Sequence, residues 1–399
     1  MNHSPRIYLD HHATTPVDPR VIEAMAPFWG QTYGNAASWH ASGREASTAV
    51  DNAREAVGAT IGAEAKAILF TSGATESSNL ALQGACGFYQ EKGNHVVTTR
   101  TEHSAVFDCC RVMEKRGCEL TILPVDEFGR VDPEAVREAI TDKTILLSVI
   151  HGNNEIGTLN DIAAIGRIAK EHGVLFHCDA VQSLGKVFLD VEAMGIDLLS
   201  LSAHKAYGPK GVGALYCRRR EPRVRLEPIL HGGGHERGFR SGTLNVPGIV
   251  GFGKACQIAC EEREEETTRV SGLRELLLQE ITGSLAGVTR NGHPVDTLPG
   301  NLNLSFADVD GMNLLRGLPE IALSLGSACT SALPEPSRVL RAIGVSPELS
   351  GSSIRFGVGR FNTEEEIRRT ANRVTEVVAH LREHGNEEAD DSCLLSADG

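Results

Sequence analysis

The amino-acid sequence predicts an α/β fold with a mainly parallel sheet, followed by a smaller α+β domain. Short apolar runs rich in Val, Ile and Leu lack strict alternation, which is typical of strands buried on both faces. Helical patterns lie between these runs, and such alternation favours a parallel sheet. The pattern changes after about Pro247, where one long helical stretch begins.

Six apolar runs in the first part of the chain are predicted as strands. They are residues 67–71, 95–99, 144–150, 174–178, 197–201 and 213–217. Apolar residues that recur every three or four positions predict two helices, one over residues 46–61 and one over residues 160–172.

The second part of the chain begins with the helical stretch after Pro247. Its charge run at residues 261–266 predicts a solvated helix face. The remaining patterns predict strands at 303–306, 321–325 and 353–358, and helices at 311–317 and 363–381. We therefore predict an N-terminal arm (1–15) that packs with the small domain, a large domain (16–258), a small domain (259–384) and a disordered acidic tail (385–399).

The composition excludes several classes of protein. Hydrophobic residues make up 41% and charged residues 23% of the 399 residues, as in ordinary soluble globular proteins. The net charge of −13 argues against nucleic-acid binding, because phosphate backbones attract basic surfaces. We find no signal peptide and no apolar run long enough to cross a bilayer. The ten cysteines lack framework spacing, which favours a reducing cytosol and a cytoplasmic protein.

Two motifs follow predicted strands and could hold a cofactor. Lys205 ends the block Ser202-Ala203-His204-Lys205 after strand 197–201. A buried lysine is rare, so this one could condense with an aldehyde cofactor, or it could be an ordinary surface lysine. Asp179 ends strand 174–178, where ligands of parallel sheets bind. It could pair with a protonated pyridine nitrogen or cap the next helix.

Two further motifs could bind anions. Residues 71–77, Thr-Ser-Gly-Ala-Thr-Glu-Ser, follow a strand and open a helix, which makes them a phosphate site of moderate specificity. Arg355 lies in the apolar strand 353–358 and needs an anionic partner. A substrate carboxylate would serve as that partner, and so would an internal salt bridge.

Cys329 lies among small residues in Gly326-Ser327-Ala328-Cys329-Thr330-Ser331. An irregular, exposed segment of this kind suits a nucleophile, because a thiol of lowered pKa forms more thiolate. An incidental surface thiol remains the alternative. His231 and His235 raise the question of zinc, but the chain has no CxxC or HExxH spacing.

The order of these residues resembles that of cysteine desulfurases, which are pyridoxal-phosphate enzymes. The residues in matching order are Thr75, His103, Asn154, Asp179, Gln182, Ser202 to Lys205, Arg240 to Thr243, Cys329 and Arg355. Flanking runs at 8–16, 152–157 and 231–238 match as well, and the resemblance covers about residues 7–383. The Cys329 segment resembles the long-loop type, which serves housekeeping or nitrogen-fixation iron–sulfur cluster assembly. The resemblance implies an aspartate-aminotransferase-like (fold type I) homodimer.

The resemblance also implies a role for each site residue. Lys205 binds pyridoxal phosphate and moves the Cα proton, and Cys329 takes the sulfur of L-cysteine as a persulfide. The phosphate is held by Ala74, Thr75, Ser202, His204 and, from the other subunit, Thr243. Asp179 pairs with the pyridine nitrogen, and Gln182 reaches the ring hydroxyl. His103 stacks on the ring and is a catalytic residue that moves protons. Arg355 and Asn154 hold the substrate carboxylate. No metal is expected in the resting enzyme, although the Cys329 persulfide could transiently ligate a cluster.

Two other classes of function stay open. A class V aminotransferase would not need Cys329 and would release a keto acid, and a selenocysteine lyase would differ in its substrate. A non-enzymatic interaction protein with the same fold is the other class. The presence of Lys205, Asp179 and Cys329 argues against it.

The sequence predicts protein partners without naming the sulfur acceptor. The resemblance implies an iron–sulfur scaffold protein or other acceptors, with tRNA thiolation as a further destination. The acidic end of the chain at 385–391 does not match the docking segment common in the housekeeping branch. Five arginines occur within eight residues: Arg218, Arg219, Arg220, Arg223 and Arg225. They predict docking of an acidic protein, with a solvated turn as the alternative.

Overall fold

A seven-stranded sheet lies at the centre of the first part of the chain. The structure, a computed structural model, describes residues 6–325 and 337–385. The strands of the described residues, in all sheets together, are β1 (Ile7–Tyr8), β2 (Ile68–Thr71), β3 (His95–Thr99), β4 (Glu119–Leu123), β5 (Thr144–Ile150), β6 (Leu175–Asp179), β7 (Leu198–Ser202), β8 (Gly213–Cys217), β9 (Val288–Asn291), β10 (Asn301–Phe306), β11 (Ile321–Ala322), β12 (Ser324–Leu325) and β13 (Ser353–Gly357).

Helices lie between the strands along the chain. They are α1 (Pro19–Met25), α2 (Pro27–Gly30), α3 (Ala41–Thr60), α4 (Ala74–Tyr89), α5 (Ser104–Lys115), α6 (Pro133–Ala139), α7 (Ile162–His172), α8 (Val246–Ser284), α9 (Gly311–Arg316), α10 (Arg338–Ala342), α11 (Pro347–Gly351) and α12 (Glu364–His384).

The large sheet has the strand order β2-β8-β7-β6-β5-β3-β4. β8 is antiparallel to its neighbours β2 and β7, whereas all other pairs in this sheet are parallel. Every residue of β5 is buried, as expected for a strand with helices on both faces. The predicted α/β class with a mainly parallel sheet is confirmed.

A smaller antiparallel sheet, β12-β13-β10-β9, forms in the second part of the chain. The prediction of one strand at 321–325 is wrong, because Leu323 separates two strands with different partners. β11 pairs in parallel with β1, and β12 pairs antiparallel with β13. The N-terminal strand is therefore joined to the second part of the chain.

Helix α8 extends through both hydrophobic cores. Phe252 and Cys256, from its first half, pack in the core beside the large sheet. Leu273 and Leu277, from its second half, pack in the core of the smaller sheet. The predicted boundary between residues 258 and 259 falls inside this helix, and the division into domains stays a prediction. Across the described ranges, the helices are all too short or too polar to span a bilayer.

Candidate active site

A cavity of about 510 Å³ lies at the carboxyl ends of β5, β6 and β7, a size suited to a small-molecule site. The strands end here with Ile150, Asp179 and Ser202 in its wall. The predicted site residues that line it are Ala74, Thr75, His103, Asn154, Asp179, Gln182, Ser202, His204, Lys205 and Arg355. Thr243 is not among the lining residues, and Cys329 lies outside the described residues.

Lys205 ends a single 3-10 turn, Ala203–Lys205, which directly follows β7. Its Nζ donates hydrogen bonds of 2.6 Å to the carbonyl oxygens of His12 and Ala13. The amine is therefore held inside the cavity by backbone acceptors rather than extended into solvent. This arrangement favours a functional lysine over the ordinary surface lysine that the sequence also allowed.

Asp179 is a buried carboxylate at the end of β6. Its Oδ1 accepts a hydrogen bond of 3.0 Å from the backbone N–H of Val181. Residues 181–186 form turns and no helix, so the helix cap that the sequence also allowed is not formed. Burial raises the pKa of Asp179, while the nearby charges of His103 and Lys205 lower it. A buried carboxylate is costly unless a cation pairs with it, so this position suits a protonated ring nitrogen.

Gln182 and His12 form a reciprocal hydrogen-bonded pair in the cavity wall. Gln182 Nε2 donates to the carbonyl oxygen of His12 at 2.9 Å, and His12 Nδ1 lies 3.0 Å from Gln182 Oε1. Burial lowers the pKa of His12 well below its usual value, so the ring is neutral. A neutral ring can bond the Gln182 oxygen only if Nδ1 carries the proton, which fixes the tautomer and the orientation of the amide.

The start of α4 forms the wall predicted to hold phosphate. Gly73 precedes the helix with φ 152° and offers no side chain to the free N–H groups of the first turn. Apart from Gly73 itself and its two chain neighbours, no residue has an atom within 4 Å of the position where a Cβ of Gly73 would lie, so the space beside it is open. On the opposite wall, His204 Nδ1 lies 3.1 Å from Thr14 Oγ1, and burial lowers the pKa of His204 to about 4.

His103 and the adjacent Glu102 occupy the turn between β3 and α5. His103 Nδ1 accepts a hydrogen bond of 3.1 Å from the backbone N–H of Ala105, which fixes the ring at the start of the helix. Glu102 points into the interior and accepts from Thr99 Oγ1 at 3.0 Å and from the N–H of Ile150 at 2.7 Å. Burial raises the pKa of Glu102 to about 8.

Arg355 on β13 is buried and already has protein partners. Its Nη2 lies 2.9 Å from Asp10 Oδ1, and its Nη1 donates to the carbonyl oxygen of Asn154 at 2.8 Å. The internal salt bridge that the sequence left open is therefore present. These two bonds use two of the five N–H groups of the guanidinium, and Nε bonds to none of the described residues, so donors remain for a carboxylate in the cavity.

The described residues on either side of the Cys329 segment are attached to the cavity wall. Ser324 pairs with Arg355 across the β12–β13 ladder. On the other side, Ser337 Oγ donates to Glu155 Oε2 at 2.5 Å, and Arg338 Nη2 donates to the carbonyl oxygen of Glu102 at 2.5 Å. Glu155 and Glu102 are the chain neighbours of Asn154 and His103.

The sequence did not assign a role to the N-terminal residues of the site. His12, Ala13 and Thr14 line the cavity and contact Lys205, Gln182 and His204. The only signal for them was the matching run at residues 8–16. No local pattern predicts these contacts, because the partners lie about 170 to 190 residues away in the chain.

Comparisons with known proteins match nearly the whole chain. The class-V aminotransferase family matches residues 7–370. The chain belongs to that family. Cysteine desulfurase IscS from Anaeromyxobacter dehalogenans (strain 2CP-C) is 58% identical over 378 residues, which cover 94% of this chain and 93% of the relative. Cysteine desulfurase IscS from Pseudomonas aeruginosa (strain UCBPP-PA14) is 53% identical over 380 residues, which cover 94% of each chain.

Solved structures agree with this family assignment. A NifS-like protein superimposes with a TM-score of 0.88 at 36% identity, covering 94% of this chain and all of the other. A NifS-like protein from Rickettsia africae superimposes with a TM-score of 0.84 at 30% identity, covering 94% of this chain and 99% of the other. The predicted resemblance to cysteine desulfurases is confirmed for this class-V aminotransferase.

Class-V aminotransferases use pyridoxal phosphate, as the sequence predicted for this one. The cavity fits that cofactor on three counts. Lys205 offers an amine for its aldehyde, Asp179 offers a buried carboxylate for its ring nitrogen, and the open start of α4 offers N–H groups for its phosphate. The roles of the individual residues in this class-V aminotransferase stay predictions.

Proposed function

We propose that this chain is a pyridoxal-phosphate-dependent cysteine desulfurase that converts L-cysteine to L-alanine and holds the sulfur as a persulfide on Cys329. The observation that carries the proposal is the convergence of Lys205, Asp179 and Arg355 on one cavity. Relatives that are 50%, 53% and 58% identical over 94% of the chain are named cysteine desulfurase IscS. Their activity is the one that these residues would serve here.

Arg355 and Asn154 would hold the substrate carboxylate and so place its α-carbon next to Lys205. When bound, pyridoxal phosphate withdraws electrons from that carbon. Lys205 Nζ then takes the Cα proton as a general base. The carbonyl oxygens of His12 and Ala13 orient this amine, because both accept hydrogen bonds from it.

The cavity walls would also fix the cofactor. Asp179 would pair with the ring nitrogen, Gln182 would donate to the ring hydroxyl, and His103 would stack on the ring. The phosphate would be held by Ala74, Thr75, Ser202, His204 and Thr243 of the partner subunit. Both ends of the Gln182 amide contact His12, so the second N–H of Nε2 is the donor that would reach the cofactor.

Cys329 would carry out the sulfur transfer. Its thiolate attacks the sulfur of the substrate, and the bond from that sulfur to the substrate Cβ breaks. The carbon fragment takes up a proton at Cβ, regains one at Cα from Lys205 and leaves as alanine, so that L-cysteine and the Cys329 thiol become L-alanine and a Cys329 persulfide. The persulfide then passes its outer sulfur to an iron–sulfur scaffold protein or another acceptor, including those for tRNA thiolation.

Exposed aromatic side chains support a homodimer. Trp29, Tyr33 and Trp39 are 69%, 78% and 93% exposed on the segment from α2 to the start of α3. Large apolar patches on a monomer usually mark an interface. Thr243 is exposed and does not line the cavity of its own subunit. This position fits a residue that completes the active site of the partner subunit. We expect this dimer in the cytoplasm.

The arginine-rich segment is the proposed docking surface for an acidic protein. Arg218 pairs with Asp197 at 2.5 Å, and Arg220 pairs with Glu192. Arg223 and Arg225 are exposed. The first two charges are therefore partly neutralised within the chain, and the last two are the best placed to meet a partner.

Product analysis tests the proposed activity. Purified enzyme supplied with L-cysteine and a thiol reductant should release alanine and sulfide in equal amounts, and Cys329→Ser should release almost none of either. The control is Cys260→Ser, which changes an exposed thiol on helix α8. A keto acid as the product would indicate an aminotransferase, and a protein that cannot bind pyridoxal phosphate would indicate an interaction protein.

A further inference from the structure

A carboxylate stands in the wall where the cofactor phosphate is proposed to bind. Glu76 is the third residue of α4 and lines the cavity beside Gly73, Ala74 and Thr75. Its Oε2 accepts a hydrogen bond of 2.8 Å from the N–H of Ser72, so it uses one of the backbone donors at this helix start. An acidic residue stabilises a helix N-terminus, yet its charge opposes a second anion at the same place.

Arg240 forms a two-point ion pair with this carboxylate. Its Nε lies 2.8 Å from Glu76 Oε1, and its Nη2 lies 3.3 Å from Oε2. The two side chains are 20% and 11% exposed, so solvent screens the pair only in part. Although burial raises the pKa of Glu76, the hydrogen bonds from Arg240 and Ser72 outweigh it and lower the pKa below its usual value.

The segment that carries Arg240 is fastened to the strand that leads into this wall. Glu236 is buried, accepts from the N–H of Phe70 on β2 at 2.8 Å, and pairs with Arg54 at 2.7 Å. Glu236 and Arg237 have φ values of 47° and 59°, a left-handed conformation that costs energy for residues with a side chain. The contacts of Glu236 thus hold the segment that places Arg240 against Glu76, although Glu236 and Arg237 have a strained backbone.

We infer that Arg240 is a positioning residue that neutralises Glu76 and thereby allows a phosphate group to bind at the start of α4. Arg240 acts through Glu76, because Glu76 lines the cavity and Arg240 is not among the lining residues. The inference deepens the proposed function, on which it rests, since it concerns the phosphate half of the same site. It predicts an effect specific to ligands that carry phosphate.

The test compares pyridoxal phosphate with pyridoxal, which lacks the phosphate, by equilibrium dialysis against the apoprotein. Arg240→Met should weaken pyridoxal phosphate at least tenfold and pyridoxal less than twofold, because only the former meets the unpaired Glu76 charge. Adding Glu76→Gln to Arg240→Met should restore the affinity for pyridoxal phosphate to within about threefold of wild type, since the charge is then gone. Arg240→Lys should also bind pyridoxal phosphate within about threefold of wild type, because lysine keeps the positive charge beside Glu76.

The matched control is Arg373→Met on helix α12, which breaks an ion pair of similar exposure with Glu320 and a second one with Glu376 outside the cavity. An equal loss for both ligands in Arg240→Met would make the pair merely structural, and so would a double variant without recovery. If Arg240→Met fails to fold, Glu76→Gln alone decides, because a tenfold loss of pyridoxal phosphate in that variant overturns the inference. Failure of the wild-type protein to bind pyridoxal phosphate would instead contradict the proposed function.

Discussion

Arg355 Nη2 lies 2.9 Å from Asp10 Oδ1, so the arginine proposed for the substrate carboxylate is already held by an internal carboxylate. This pair orients the guanidinium from the N-terminal segment and leaves Nε without a partner among the described residues. A salt bridge and a substrate receptor are therefore compatible roles for one arginine, because the planar guanidinium has five donors.

Arg355→Gln should raise KM for L-cysteine at least tenfold while the cofactor remains bound. A hydrogen bond to a charged group contributes about 1.5–3 kcal/mol, which corresponds to a factor of ten or more. Steady-state kinetics and cofactor absorbance measure the two effects separately. The control is Arg360→Gln, which breaks a similarly buried pair with Asp18 and Glu266 outside the cavity. A KM within twofold of wild type in Arg355→Gln would leave the arginine with a structural role only.

Lys205→Ala should lack the visible absorbance of covalently bound pyridoxal phosphate. The physical reason is that the Lys205 amine is the one held in the cavity by two backbone carbonyl groups. Absorbance spectra and peptide mass analysis after borohydride reduction make the measurement, with Lys143→Ala as an exposed control. A normal band with the label on Lys210, which also lines the cavity, would disprove the assignment.

Glu102 should make the stability of the apoprotein fall as the pH rises. Its pKa is raised by burial from 4.5 to about 8, so between these values the folded state keeps a proton that the unfolded state releases. The free energy of unfolding should therefore decrease by about 1.4 kcal/mol per pH unit from this group, and the loss should end above about pH 8. Glu102→Gln cannot release a proton and should remove this slope.

Urea unfolding of the apoprotein at pH 6 and pH 8, at one protein concentration, measures the Glu102 effect. The wild type should lose about 2–3 kcal/mol relative to Glu102→Gln over this interval. Glu119→Gln changes an exposed glutamate and should keep the wild-type slope. Parallel pH profiles for the wild type and Glu102→Gln would mean that Glu102 is ionised in the folded protein.

Reversal of Arg220, Arg223 and Arg225 to Glu should weaken binding of acidic protein partners and leave turnover of cysteine with a small-molecule reductant unchanged. Opposite charges raise the association rate, so the wild-type affinity should also fall with added salt. The measurement is the affinity for acidic proteins recovered with the persulfide-loaded enzyme.

A second triple variant controls for total charge in the arginine experiment. Reversal of the exposed Arg111, Arg341 and Arg369 to Glu changes the net charge equally at other surfaces. It should bind the acidic partners like the wild type. If both triple variants bind equally well at low salt, the arginine segment is only a solvated turn.

The strands buried on both faces were predictable because an unbroken apolar run is a local signal. β5 illustrates this, since all seven of its residues are buried and its predicted bounds match. β4 was missed because it is an edge strand with Glu119 exposed and Thr121 half-buried, which interrupts the apolar run. β1 and β11 were missed as separate strands because two residues carry no periodicity.

Residues of the candidate site were likewise predictable from the sequence only where the signal is local. Asp179 and Lys205 were found because each ends or follows a strand, which places them at the ligand-binding edge of a parallel sheet. His12 was missed because its role depends on contacts with Gln182 and Lys205, far along the chain. The pairing of Arg355 with Asp10 spans 345 residues, so the sequence could only leave the partner open.

The 39-residue helix α8 has a consequence for fragments of this protein. At a rise of 1.5 Å per residue it is about 58 Å long, and its two halves supply apolar side chains to separate cores. A gene split at residue 258 would cut the helix between those halves and give two polypeptides that each expose one severed apolar stripe. The chain should therefore be cut for fragment complementation, circularly permuted or extended by an inserted domain at surface turns away from this helix.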